Sequence, residues 1–380
     1  MVDSSYDVIV IGAGIAGASA AAELSATHRV VVLEREGQPG YHSTGRSAAI
    51  FSETYGNAVI RLLSRASRRF LTAPPAGFAE AELTRPRGFL HIARPDQEVA
   101  LDAFVASHDV AAATQRMTPT EARRLCPILR EDYLLGAAFE FDGADIDVHA
   151  VHQGFLRQMK QNGGTLVTDA EVLEIRHADG LWRLRTAAGE VSAPVLANAA
   201  GAWADKIAGL AGAPPIGLVP CRRTALLVPA PEGMAIEAWP AVIDIDEEFY
   251  FRPDAGLLML SPADETPSEP CDAQPEELDV AHAVDRVQQA TMLEIRSVRR
   301  KWAGLRSFVA DRSPVIGFDA AVPGFFWIAG QGGYGIQTAP AAGRLVASLI
   351  RGDGLPPELA ELGFSEDLVS ASRLQGSLKE

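Results

Sequence analysis

Gly12, Gly14 and Gly17 stand in G-x-G-x-x-G order, and a carboxylate, Glu34, follows twenty positions after Gly14. Together they bind a dinucleotide. Gly12 lets a strand turn tightly, Gly14 lets the backbone approach a diphosphate, Gly17 lets a helix pack on the strand, and the acid accepts ribose hydroxyls. Ile15 and Ala16 open that helix, whose free N–H groups and dipole favour an anion. A second glycine-rich turn, Gly330-Gln331-Gly332-Gly333-Tyr334-Gly335-Ile336-Gln337-Thr338, leads into another helix and primes a second N-terminus for negative charge. The run Gly143-Ala144-Asp145-Ile146-Asp147-Val148-His149-Ala150-Val151-His152 has the residue types of a metal site. Asp147, however, is placed to cap a helix over Val148 to Asn162, and no third ligand is nearby, so no metal is expected.

These groups need elements to hold them. Val8–Ile11 reads as a buried parallel strand, Ala18 to Leu24 as a helix and Val30–Leu33 as a second strand. Val195–Asn198 is a third, breaking at Ala200-Gly201 before a helix from Ala204 to Leu210; Phe325–Ala329 is a fourth, feeding the second glycine turn and a helix to Ile350. Between them lie a Gly/Ser/Thr-rich loop over 40–49 that should feed a helix, helices at 58–71, 97–108 and 118–125, and a strand at 88–92. Strands at 165–168 and 170–175 precede a hairpin around Gly189. Arg222 and Arg223 sit in a strand ending at Val228, a second hairpin joins 249–252 to 257–260, and a long helix covers 276–295. Thr118 with Glu121 forms a capping box. Strands alternating with helices point to a doubly wound α/β domain, and the Pro/Gly-rich crossings at 72–86 and 214–215 lead into an antiparallel region.

The chain has 380 residues and a net charge of −15, which argues against nucleic acid or an anionic membrane as partner. Cys126, Cys221 and Cys271 are odd in number and far apart, which fits a reducing, cytoplasmic setting. The first strand starts too early to leave room for a signal peptide, and no apolar run reaches ~18 residues, so no membrane span is expected. Glu34 argues against NADP and leaves NAD or FAD open.

The stretches Val10–Gly17, Val32–Glu36, Gly40–Ala49, Gly143–Asp147, Asn198–Trp203, Trp302–Asp311 and Gln331–Thr338 resemble the D-amino-acid oxidase superfamily of FAD enzymes, the D-arginine dehydrogenase type in particular. The resemblance implies a Rossmann-like, glutathione-reductase-like FAD domain (1–72, 143–213 and 303–380). It also implies an antiparallel-sheet α+β substrate domain (73–142 and 214–302). It implies FAD rather than NAD, held non-covalently, since no cysteine follows Cys271. Gly12, Gly14, Ile15, Ala16, Gly17, Glu34 and Arg35 fall on the ADP half. Ser43, Thr44, Arg46, Ser47, Ala48 and Ala49 run along the pyrophosphate and flavin. Val172 would bond the adenine, with Ala200, Gly201 and Trp203 close by, and Gly304 and Gly332 to Thr338 (Tyr334, Gly335, Ile336 and Gln337 included) would border the flavin.

The same resemblance assigns Arg222 and Arg306 to the substrate carboxylate, Tyr55 and Tyr250 as hydroxyl donors, and the Gly333 carbonyl to the amine. It implies oxidation of a Cα–N bond by hydride transfer to flavin N5, then hydrolysis to keto acid and ammonia, with oxygen, a quinone or another carrier as acceptor. The D-arginine type has a histidine and a glutamate where this chain has Ile50 and Arg87. A cationic side chain is therefore not expected; the substrate side chain is expected to be apolar, or acidic if Arg87 points inward. The alternatives are a secondary-amine acid as substrate, a non-catalytic flavoprotein subunit and an NAD dehydrogenase.

Overall fold

The computed structural model describes residues 5–107 and 113–374; His108, the expected end of one helix, lies outside them. Two sheets organise the chain. In the first, the all-apolar Val8–Ile11 is buried between Val30–Leu33 and Val195–Asn198, both parallel to it. Thr165–Val167 and Phe325–Ala329 extend this parallel sheet, and Val315–Phe318 closes one edge antiparallel. Helices Ile15–Leu24, Ala58–Thr72, Val148–Gln161 and Gly335–Arg351 cover one face. A three-stranded antiparallel sheet (Val172–Ala178, Leu181–Thr186 and Gly189–Ala193) and helix Ala204–Ala211 cover the other. This is the expected doubly wound domain.

The second sheet has nine strands, all antiparallel pairs except Ala241–Asp244 with Phe89–Ala93. Side chains alternate between its faces. Leu90, Ile92, Leu226, Val228, Val242, Phe251, Leu258 and Leu260 pack under helices Pro119–Leu125 and Glu277–Ala290. The opposite parity, including Phe89, His91, Ile243, Tyr250 and Arg252, is left to line a cavity.

Local signals were sound where caps set them. Thr118 and Glu121 form the capping box, and the Asp147 carboxylate accepts from the Ala150 N–H. Three expectations fail where tertiary pairing prevails. The 40–49 loop feeds no helix: one 3-10 turn, Thr44–Arg46, leads to strand Ile50–Phe51, which pairs with Asp145 and Ala144. The helix expected to reach 295 stops at Ala290, because the chain turns to hydrogen-bond residues 128–130. Strand Arg300–Phe308 pairs along Val219–Pro229 in the second sheet, so it runs across the boundary expected at 303.

Candidate functional site

Two connected grooves run over the carboxyl ends of the parallel strands, where doubly wound sheets take ligands. One, of about 280 Å³, is lined by Glu34, Arg35, Val172, Ala200 and Trp203; the other, of about 150 Å³, by Ile15, Ala16, Arg46, Ser47, Gly304, Gly332, Gly335 and Ile336. Gly14, Ser43, Thr44 and Gly201 belong to both. Gly12 has φ +103°, and a Cβ there would lie 2.5 Å from the Ala199 oxygen; one on Gly17 would lie 1.9 Å from the Gly12 oxygen. Helices Ile15–Leu24 and Gly335–Arg351 both point their N-termini at this groove, with no cap from the N-cap side chain and no acidic residue in the first turn, although the Ile15 N–H donates to the Thr44 hydroxyl. That pair of positive ends, with a shallow backbone at Gly14, fits a dinucleotide diphosphate and an electron-accepting ring. Glu34 is buried and accepts from the Ala13 and Glu36 N–H groups. The Arg35 guanidinium stacks 4.7 Å over Trp203. Arg46 ties the loop down through Asp272 and the carbonyls of Ala273 and Ala303.

Five residues expected at the cofactor do not line the grooves: Ala49 and Tyr334 line the neighbouring cavity instead, and Gly17, Gln337 and Thr338 line none of the three. Gly17 acts through helix–strand packing. The Gln337 side chain accepts from the Ser52 N–H and donates to Ser64, and Thr338 bonds the Tyr334 carbonyl, so both brace the helix start.

A third cavity, about 490 Å³, adjoins the 150 Å³ groove through Ser47, Ala48, Arg223, Tyr250, Arg306 and Gly333. Ala49, Ile50, Tyr55 and Tyr334 line it too. Arg306 is deeply enclosed, and the surface it keeps faces the cavities. Its Nη1 donates to the Tyr55 hydroxyl at 3.1 Å, and no carboxylate pairs with it among the described residues. Burial works against its charge, but Tyr55 and Tyr250 more than offset this and its pKa is raised. The guanidinium lies on the Gly333 backbone: a Cβ there would come within 2.7 Å of Cζ. Tyr55 is set by its edge-on contact with Tyr334, ring centroids 4.8 Å apart.

Of the adjacent pair Arg222 and Arg223, it is Arg223 that lines the cavity beside Arg306. Successive strand residues face opposite sides. Arg222 points away from the cavity to Glu276 (2.5 Å), Asp279 (3.1 Å) and Asp264 (3.9 Å). Arg223 is buried and bonds Glu265. Burial, then the charge of Arg306, lowers its pKa. Two guanidinium groups thus repel across a space that an anion would relieve. Arg87 also stays out of the cavity, held by Asp145 at 2.5 Å and by the carbonyls of Glu237 and Trp239. Arg252 takes a place on the wall that nothing in its local sequence signalled, and His91 and Phe104 were likewise unforeseen.

The family described as DAO, FAD dependent oxidoreductase, matches residues 7–349. Sarcosine oxidase subunit beta of Rhodobacter capsulatus is 24% identical, over 94% of this chain and 88% of that protein. Glycine oxidase of Geobacillus kaustophilus is 24% identical over 91% of this chain and 93% of that protein. Its crystal structure aligns with a TM-score of 0.80, at 23% identity, over 92% and 95% of the two chains. The L-proline dehydrogenase structure from P. horikoshii aligns with a TM-score of 0.84, at 21% identity, over 99% of both chains.

Proposed function

Because the chain belongs to the DAO family of FAD-dependent oxidoreductases, we propose that its 490 Å³ cavity binds an amino acid by the carboxylate and presents the Cα–N bond for oxidation. The chain is an FAD enzyme acting on CH–NH, and the diphosphate grooves accommodate that cofactor. The observation that carries the reading is Arg306, a deeply enclosed guanidinium with a tyrosine hydroxyl but no carboxylate partner among the described residues. An enclosed cation without a counter-ion calls for an anionic ligand, and a guanidinium fork matches a carboxylate.

Bound FAD supplies the two-electron acceptor. Arg306 and Arg223 hold the carboxylate, with Tyr55 and Tyr250 adding hydroxyl donors. The carbonyl of Gly333 is the acceptor assigned to the amine, which reacts neutral. Burial raises the Tyr334 pKa, so its hydroxyl keeps its proton. No side-chain base is invoked: the substrate loses two electrons and two protons, and water converts the imino acid to keto acid and ammonia. Holding the reacting groups together supplies much of the rate.

A cationic substrate is disfavoured, although Arg87 is not the reason. Arg223, Arg252, Arg306 and Arg312 line the cavity against Glu247 and Asp311; Arg223 and Arg312 share one carboxylate, Glu265, Arg252 is held by Asp145, and Asp311 is paired with Arg373. This speaks against the D-arginine specialisation. The relatives named after sarcosine and proline favour a second reading on the same site, oxidation of a secondary-amine acid, in which hydrolysis of the imine releases an amine from an N-alkyl substrate and opens the ring of a cyclic one. Anaerobic mixing of the yellow holoenzyme with glycine, sarcosine, proline and the D- and L-amino acids tests both. Bleaching by at least one supports the reading, and admitting air then separates oxidase from dehydrogenase. A flavin that stays oxidised with all of them contradicts it.

A further inference from the structure

The carboxylate pole occupies only one end of the cavity. Tyr250 lies directly across from Ile243, and Ile243 directly across from His91, on three neighbouring strands. In the adjoining row Ala241 faces Phe89. These side chains all line the cavity, as do Ile50, Phe104 and Ile245. Two inter-strand steps separate Tyr250 from His91, roughly 10 Å at ~4.8 Å each. Three rings line the far end: Phe89, His91 and Phe104, the last two with centroids 4.5 Å apart. None of Phe89, His91, Phe104, Ile243 or Ile245 lines the dinucleotide grooves, so this end is left to the substrate. Arg252, at its edge, is engaged by Asp145 and the Ala48 carbonyl.

Glycine or sarcosine, anchored at Arg306, would leave this chamber, mostly apolar apart from Ser52, Thr54, His91 and Arg252, without an occupant. Resting on the carboxylate-anchored reading above, we propose that the substrate carries a large apolar side chain, phenylalanine-sized or bigger, which lies along Ile243 and Ala241 and ends among Phe89, His91 and Phe104. Burial of apolar surface rewards each added methylene several-fold, and ring-on-ring contact adds to it.

The test compares kcat/KM of the holoenzyme for glycine and sarcosine with that for the D-, L- and N-methyl forms of alanine, leucine, phenylalanine and tryptophan. The preferred stereochemical and N-substituted series should rise with side-chain size, the phenylalanine form exceeding glycine by roughly 10²-fold or more. Ile243→Trp, which fills the chamber, should cut that ratio at least tenfold. Calorimetry on the unaltered holoenzyme is independent of how that variant folds: 3-phenylpropanoate should bind roughly 10²-fold more tightly than acetate. Oxidation with glycine or sarcosine equal to or better than the large substrates overturns the inference and leaves the Cα–N reading standing. Oxidation of none of them, with neither carboxylate bound, overturns both.

Discussion

At the scale of single residues, the chemistry turns on which arginines face inward. Arg222 and Arg223 are adjacent on a strand whose two faces are both covered, so neither hydropathy nor spacing separates them, and a slip of one residue inverts the assignment. Nothing in the local pattern announces the cavity wall either: His91, Phe104 and Arg252 come together only through cross-strand register and a helix packed nearby. Arg306, Tyr55, Tyr250, Gly333 and Ile50, assigned through the resemblance, do converge. The two neighbouring arginines separate cleanly by experiment. Arg223→Met should raise KM by about 10²-fold, as expected if a charged contact of ~3 kcal/mol is lost. Arg222→Met, which removes the partner of Asp279 and Glu276, should leave KM close to its original value while lowering the melting temperature. Equal KM effects in steady-state kinetics would contradict the strand-face assignment.

At the scale of elements, two buried polar links position the site. His152, on helix Val148–Gln161, donates Nε2–H to the Ala13 carbonyl at 2.8 Å, pinning the first glycine turn. Burial lowers its pKa from the ordinary 6.5, the Ala13 bond opposing this and His149 reinforcing it. The folded protein therefore holds neutral imidazole while the unfolded chain takes up a proton below about 6.5. The stabilisation is present above that pH and is lost as pH falls through the lowered folded value. FAD fluorescence should show greater cofactor release at pH 5 than at pH 7.5, and His152→Gln, which donates without titrating, should flatten the difference.

The other link is Glu140, 1% exposed, whose carboxylate accepts from Ser52 and Thr54. The Ser52 oxygen in turn accepts from the Tyr55 N–H, so the carboxylate sets the loop that delivers Tyr55 to Arg306. Glu140→Ala removes the acceptor of two buried hydroxyls, which can donate to each other only one at a time, and so leaves a buried donor unpaired at ~1–3 kcal/mol. It should raise KM roughly tenfold with a smaller change in kcat, Glu140→Gln recovering most of this; unchanged KM in both would remove Glu140 from the positioning chain. Helix caps such as Asp147 were legible because a cap is a local interaction. The Ser52–Glu140 link was not, because its partners lie 88 positions apart.

At the scale of the molecule, the six-stranded sheet supplies two helix N-termini and a dinucleotide groove, and one face of the nine-stranded sheet supplies the substrate wall. The doubly wound half was readable because glycine spacing and apolar strand runs are local. The second sheet was readable only as hairpins: its order, and the placing of Arg300–Phe308 within it, follow from pairings between distant segments. No helix among the described residues is long and apolar enough to cross a membrane.

Substrate recognition depends on Arg306 meeting a carboxylate beside the cofactor. Calorimetric titration of the FAD-loaded protein and its Arg306→Met variant with 3-phenylpropanoate, and with the matching amide, tests this most directly. The carboxylate should bind the unaltered protein and weaken by about 10²-fold or more in the variant, the loss expected for a desolvated charged contact, while the amide binds both weakly and alike. Equal carboxylate affinity in the two proteins would contradict the account.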